Sequence, residues 1–343
     1  MTWTPSVNTL YRNIEVLAAT HCPRSHQLRL GPRWGFGLPT GEVTGLTEYS
    51  FPLHPDGDLP GLLRRRGGLV IGCHDDPSGD ALHEHLRDTG EPAVVVVDSY
   101  HLPYRPAFGQ VHSSRTIIVA PARDGHVLVD DCWEPTFRGL LRRDDLDAAR
   151  RSVAAADPAL EPVFSGVAGP AQWFTVAAEE VPVPDPRRWA CQLVDELVAD
   201  ITTTRHAAGA RFGLDALREL VELLAVGGDA PWRVLSRRDL AVVLRAELSS
   251  RRYLCVLLRA AARLADRPGL AADVDRYQEG LRHFQAARDT QLKTVRAARP
   301  GYDAHVADRC RDALANEERL LAAVVAARLT PTEEVDRPWL ASH

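Results

Sequence analysis

The residues of this chain that could do covalent chemistry are its 6 cysteines and 13 histidines, together with several closely spaced aspartates. In "ATHCPRSHQLRL", residues 19–30, Cys22 stands between a histidine and a proline. Pro23 suits the first turn of a helix, where its missing N–H would be unpaired in any case. On this reading Cys22 sits at or beside the N-cap. The partial positive charge and open N–H groups there favour a thiolate and would steady an oxyanion in acyl transfer. The opposing reading is a small apolar core residue, as most lone cysteines are. Cys191, Cys255 and Cys310 fall among apolar positions of helical stretches and are expected in the core. Cys73 and Cys132, at strand ends, are secondary candidates. Cys22, His26, Cys73 and His74 lack the paired short spacing of a zinc site, so no metal is expected.

A thiolate nucleophile needs a base and a group that orients it. His112 lies just before "SRTIIVA", and Asp130 and Asp131 end "HVLVDD". Antiparallel pairing of these two runs brings the start of one beside the end of the other, which allows His112 to be oriented by Asp130. The intervening "PARDG" has hairpin-turn chemistry. Counting across that hairpin places Arg115 and Thr116 opposite Asp131 and Asp130.

The elements that must hold these residues divide the chain by texture. Over the first 170 residues short β-branched runs alternate with turns and amphipathic stretches, predicting an α+β domain with an antiparallel sheet. "GGLVIGC" reads as a strand, and "SGDALHEHLRDTG" reads as a helix capped by Ser78 and stopped by Gly90. "EPAVVVVDSY" reads as a strand buried on both faces, and "LRRDDLDAARRS" starts a helix. "EPVFSGVAGPAQWFTVAAEEVPVPDP" reads as irregular connection. Residues 187–330 carry helical periodicity with almost no strand signal, predicting a helical domain packed on the first.

Composition bounds the partners. The net charge is −5 and 45% of residues are hydrophobic, as in ordinary globular chains. All but one of the 41 basic residues are arginine, Lys293 being the exception, and short runs such as Arg64–Arg66 stand beside acidic stretches. No one-sided basic stripe results, so nucleic acid is not an expected partner. The N-terminus lacks a basic region followed by an apolar one, and no run reaches the roughly 18 apolar residues of a membrane span. A cytoplasmic protein with free thiols is expected.

Several pieces together resemble the butirosin biosynthesis protein H family: "THC", "AVVVVDSYHLPY", "VLVDD" followed by "LRRDDLDAAR", and in the helical half "RFGLDALRELVELL" and "SRRYLCVLLRAAARLADRPGLAADVDRYQEGLRHF". The resemblance extends over most of the chain. It implies a papain-like cysteine-peptidase-type fold for the N-terminal domain and an antibiotic-pathway acyltransferase. Such an enzyme moves an acyl or peptidyl group from the phosphopantetheine thiol of a carrier protein, through Cys22, to an amine or an internal nucleophile. Thioester or peptide hydrolysis and an inactive carrier-binding scaffold are the competing functions. The implied partners are an acyl or peptidyl carrier protein and a small-molecule acceptor, with no cofactor beyond the carried phosphopantetheine. A homodimer through the helical half stays open.

Carried over by position, Cys22 matches the nucleophile, the histidine before the hairpin matches the base, and Asp130 matches its orienting acid. Asp98 and Tyr104 match a signature near the cleft. Two departures stand out. The family's histidine directly before the strand is replaced by Arg115 in "RTIIVAPARD", with His112 three residues upstream. Either His112 reaches the thiol, or the base is lost and Arg115 holds an acyl or carboxylate group. "PRSHQLRLGPRWGFGLPTGEVTGL" replaces the family's longer helix, and Trp34 there reads either as a lining of the acyl pocket or as a loop anchor.

Overall fold

Thr9–His21 forms the first helix, α1, with Leu10, Ile14, Leu17 and Ala18 buried along one face. That spacing keeps an apolar stripe on one side of a 3.6-residue turn. The computed structural model describes residues 9–22, 34–39, 61, 63–64, 68–76, 78–132, 135–154, 171–179, 185–207, 210–227, 237–297 and 303–327. Among them no helix is long and apolar enough to cross a membrane.

The α1 stripe covers one face of a six-stranded antiparallel sheet. Its strands are β2 (Leu69–Asp75), β3 (Ala93–Asp98), β4 (Ser114–Pro121), β5 (His126–Asp131), β6 (Phe137–Arg142) and β7 (Gln172–Ala178), in the order β2-β7-β3-β4-β5-β6. The opposite face is covered by α2 (Asp80–Thr89) and α3 (Arg143–Arg151), whose Leu82, Leu86, Leu146 and Ala149 pack on Val95, Val97, Ile117 and Val119. Covered on both sides, β3 is buried throughout, as its unbroken apolar run requires.

The mixed α and β architecture with an antiparallel sheet is the expected one, but two local expectations change. Gln172–Ala178 is a strand, not a connection, and it lies between β2 and β3. Its Trp173 and Val176 are buried, and the proline and glycine on either side hid a short pattern. In the β4–β5 hairpin Ile118 pairs with Asp130 and Val119 with Val129, two residues away from simple counting. The turn lies one residue farther along the chain than that counting assumes, over 122–126, with Asp124 and Gly125 at positive φ, 57° and 72°. Gly90 stops α2 in the left-handed conformation at φ 72°, as expected.

Ser78 accepts the Asp80 N–H at 3.2 Å at the start of α2, as expected, and Asp76 adds to it, accepting from the Gly79 and Leu82 N–H groups at 3.0 Å each. It also pairs with buried Arg150 of α3 at 3.1 Å, so the end of β2 and the starts and ends of two helices are tied to one carboxylate.

The remaining helices are α4 (Pro186–Thr202), α5 (Leu214–Val226), α6 (Arg237–Leu264), α7 (Pro268–Gly280), α8 (Arg282–Ala297) and α9 (Asp303–Ala327). A small sheet missing from the sequence reading joins β1 (Gly37–Pro39), β9 (Ala210–Phe212) and β8 (Arg205–Ala207) in that order. Trp34, Phe36 and Leu38 are therefore part of the helical core. A division between residues 170 and 187 leaves this N-terminal strand on the far side of the line. Gly213 makes the approach possible: at φ 102° its N–H donates to the Phe36 carbonyl at 3.1 Å, and an added Cβ would lie 2.9 Å from the Thr203 carbonyl.

Fully buried Glu317 closes this core, accepting from Trp34 Nε1 (2.7 Å), Arg251 Nε (2.8 Å) and the Tyr277 hydroxyl (2.7 Å). Arg251 also pairs with Glu247, which accepts from the Gly37 N–H at 3.2 Å. Removing one member of such a cluster leaves an unpaired buried charge. Glu317→Ala is expected to cost about 3–5 kcal/mol in denaturant unfolding. Glu318→Ala, whose Arg218 partner lies at the surface, should cost under about 1 kcal/mol. Equal losses would contradict this assignment. Burial pushes the Glu247 carboxyl from 4.5 up to about 7 despite Arg251. A raised value stabilises at low pH, so this contribution should fall away as pH rises from about 4.5 to about 7 and vanish in Glu247→Gln, as read from thermal melts across that range.

Candidate functional site

At the end of β3 the chain buries a carboxylate. Asp98 is fully buried, and its Oδ1 accepts from the N–H groups of Tyr100 and Ser113 at 3.0 Å each. The first of these bonds caps the 3₁₀ turn Ser99–His101; the second pins the returning chain. Its Oδ2 lies 2.6 Å from His112 Nδ1 and accepts from the Ser152 hydroxyl at 2.6 Å. Burial pushes the Asp98 carboxyl up, but the bonds from Ser152, His112 and the two backbone donors outweigh it and hold it below the ordinary carboxylate range.

An ionised Asp98 fixes the neighbouring proton on His112 Nδ1 and leaves the lone pair of the neutral ring on Nε2. The His112 side chain is 39% exposed. Tyr100 stacks on it with ring centres 4.1 Å apart and planes 9° from parallel, and His101 stands edge-on at 6.3 Å. A clamped imidazole with one open nitrogen can take a proton from a thiol, an amine or water.

The carboxylate bonded to His112 is therefore Asp98, not Asp130. Strand β4 has β3 on one side and β5 on the other. Asp98 pairs with Ser114, two residues from His112, whereas Asp130 pairs with Ile118, four residues farther along β4. That step is roughly 13 Å of strand. Asp130 instead accepts from the Cys132 thiol at 3.3 Å; burial and that carboxylate push the thiol up to about 12, which keeps it protonated.

Arg115 and Tyr104 are also occupied. Arg115 makes a two-pronged bond to buried Asp131, Nη2 to Oδ1 at 2.6 Å and Nε to Oδ2 at 2.8 Å. The Tyr104 hydroxyl donates to the same Oδ2 at 3.4 Å while its ring stacks on Phe137 at 3.9 Å. Arg115 thus ties β4, and Tyr104 the segment after the 3₁₀ turn, to Asp131 at the end of β5, and the guanidinium considered as an acyl or carboxylate clamp is held in a buried ion pair. Trp34, fully buried and bonded to Glu317, anchors the helical core.

The N–H of Cys22 donates to the Ala18 carbonyl at 2.8 Å, so Cys22 closes α1. The expected helix from Pro23 and the ligand candidate His26 lie outside the described residues. Thr9 and Asn13, near the start of α1, bond Thr116 of β4. Cys22 lies thirteen residues beyond Thr9, about 20 Å of helix rise. It is nearly buried, and among the described residues no hydrogen bond joins it to His112. Cys191, Cys255 and Cys310 are buried in the helical core as expected, and Cys73 is exposed on β2. Among the described residues no cluster of histidine, cysteine and carboxylate side chains could hold a metal ion.

Sequence reasoning selected both His112 and Asp98 but did not join them. The signal was Asp98 at the end of a buried strand followed by Ser99, an acceptor placed to cap the next turn. Ser152 left no signal beyond its place after α3. The sequence matches no protein-family model and no curated protein.

Asp98→Asn removes the charge while keeping the shape. It should lower stability by about 1–3 kcal/mol at neutral pH. Because the wild-type carboxyl is held below its ordinary 3.8, its contribution is present above that value and is lost as pH falls through the folded value. The stability gap between wild type and Asp98→Asn should thus close as pH falls below 3.8. A gap that does not shrink there would refute a charged Asp98.

Proposed function

We propose that the chain is an acyl-transferring enzyme with His112 as its base and Asp98 as the carboxylate that orients it. The observation that carries this reading is the His112–Asp98 pair, stacked upon by Tyr100, with the His112 side chain 39% exposed. The likeness of "THC", "AVVVVDSYHLPY" and the helical stretches to the butirosin biosynthesis protein H family supplies the substrate class: a carrier-protein thioester as donor and an amine, or an internal nucleophile, as acceptor. A papain-like origin for the N-terminal half belongs to the same proposal and is supported by a helix packed on an antiparallel sheet.

In the covalent form of the reaction, Nε2 of His112 takes the Cys22 thiol proton and sulfur attacks the thioester carbonyl. The donor's C–S bond breaks and the proton goes to the departing carrier thiol. The acceptor amine then repeats the exchange: its proton passes through His112 to Cys22 as the amide C–N bond forms. Exchange between thioesters is nearly isoenergetic, and the driving force comes with the amide.

A second reading follows from the position of Cys22 at the end of α1, without a bond to His112. Here His112 deprotonates the acceptor directly, an amine in transfer or water in hydrolysis, and no acyl-cysteine forms. A scaffold that only binds a carrier protein would leave the dyad without use.

Intact-mass analysis after mixing with an acylated carrier protein separates these. The covalent reading predicts an adduct absent in Cys22→Ala and Cys22→Ser, with turnover abolished in both. Full turnover in those variants with none in His112→Ala establishes direct base catalysis. His112→Ala should slow either route by about 10²–10⁴. If His112→Ala discharges thioester at the wild-type rate, the assignment of the base is wrong.

A further inference from the structure

We infer that Ser152 is a positioning residue of the proton-transfer pair: by sharing Oδ2 of Asp98 with the His112 ring, its hydroxyl sets how firmly the carboxylate holds the imidazole. This rests on the reading of His112 as the base. Ser152 Oγ and His112 Nδ1 both lie 2.6 Å from that one oxygen, while the other oxygen takes the Tyr100 and Ser113 N–H groups. Each carboxylate oxygen offers about two lone-pair sites, so all four acceptor sites of Asp98 are filled.

A serine hydroxyl carries one proton, and here that proton points at Asp98. Ser152 is thus no nucleophile in this arrangement, because the imidazole takes no part in its hydrogen bond. Its effect runs through charge. Two donors on one oxygen divide the negative charge between them, so losing the hydroxyl leaves His112 as the sole claimant of Oδ2. The protonated ring is then held more tightly and returns its proton to a leaving thiolate less readily.

The hydroxyl is delivered by a well-fixed element. Ser152 directly follows α3, which is docked by Leu146 and Ala149 on the sheet and by the buried Arg150–Asp76 pair at 3.1 Å. Among the described residues, the other titratable groups facing the ring are Tyr100 and His101 from the 3₁₀ turn.

The test uses the full chain labelled with ¹⁵N-histidine, as wild type, Ser152→Ala and Ser152→Thr, with spectra recorded across pH and thermal melts to verify folding. In Ser152→Ala the pH at which the His112 ring signals move should rise by roughly 0.5–1 unit, as loss of one hydrogen bond to a charged group implies. Ser152→Thr, which keeps the hydroxyl, should restore it. A folded Ser152→Ala with unchanged ring behaviour, or a rise that Ser152→Thr does not reverse, overturns the role of Ser152. These spectra need no turnover. Failure of all three chains to discharge an acetyl-N-acetylcysteamine thioester would count against the acyl-transfer reading alone.

Discussion

A carboxylate cannot be removed from water cheaply; left unpaired, it costs several kcal/mol. Asp98 is removed from water completely, and the surrounding chain is arranged to supply what it lost. Its donors come from four places: the 3₁₀ turn that follows it, the segment entering β4, the His112 ring and the residue after α3. The reversal from β3 into β4, the direction of the imidazole and the seating of α3 all answer to that one group.

A second aspartate shows the opposite use of burial. Asp131, at the end of β5, is met by the guanidinium of Arg115, with Arg105 at 3.5 Å and the Tyr104 hydroxyl beside it. Its partners are cations that keep their charge throughout the accessible pH range, so the cluster holds strand and loop together and has no proton to give. Asp98 is paired with the one side chain whose charge changes near neutrality. The contrast between an arginine partner and a histidine partner separates a structural ion pair from a proton-transfer unit within the same sheet.

How much of this the sequence discloses depends on how local the cause is. The buried run Ala93–Asp98, the hairpin of β4 and β5 and the long amphipathic helices are set by neighbours in the chain, and their patterns are plain. Strand β7 is short, is bounded by proline and glycine, and owes its place to pairing with β2 and β3, partners roughly 80–100 residues away. The Asp98–His112 contact depends on the register between β3 and β4; the β4–β5 hairpin beside it shows how a turn displaced by one residue moves the register by two and changes which residues meet. The apolar spacing of Leu10, Ile14, Leu17 and Ala18 marks the helix that Cys22 closes. Trp34 could not be placed from its glycine-flanked surroundings, because its partner Glu317 is supplied by α9 at the other end of the chain.

The central claim is that a charged, buried Asp98 fixes the proton of His112 on Nδ1 and leaves the lone pair of the neutral ring on Nε2. Long-range ¹H–¹⁵N spectra of the neutral ring above its titration read this directly. A protonated Nδ1 with an imine-like Nε2 is the predicted result. A ring protonated at Nε2, or an even mixture of the two forms, would contradict it.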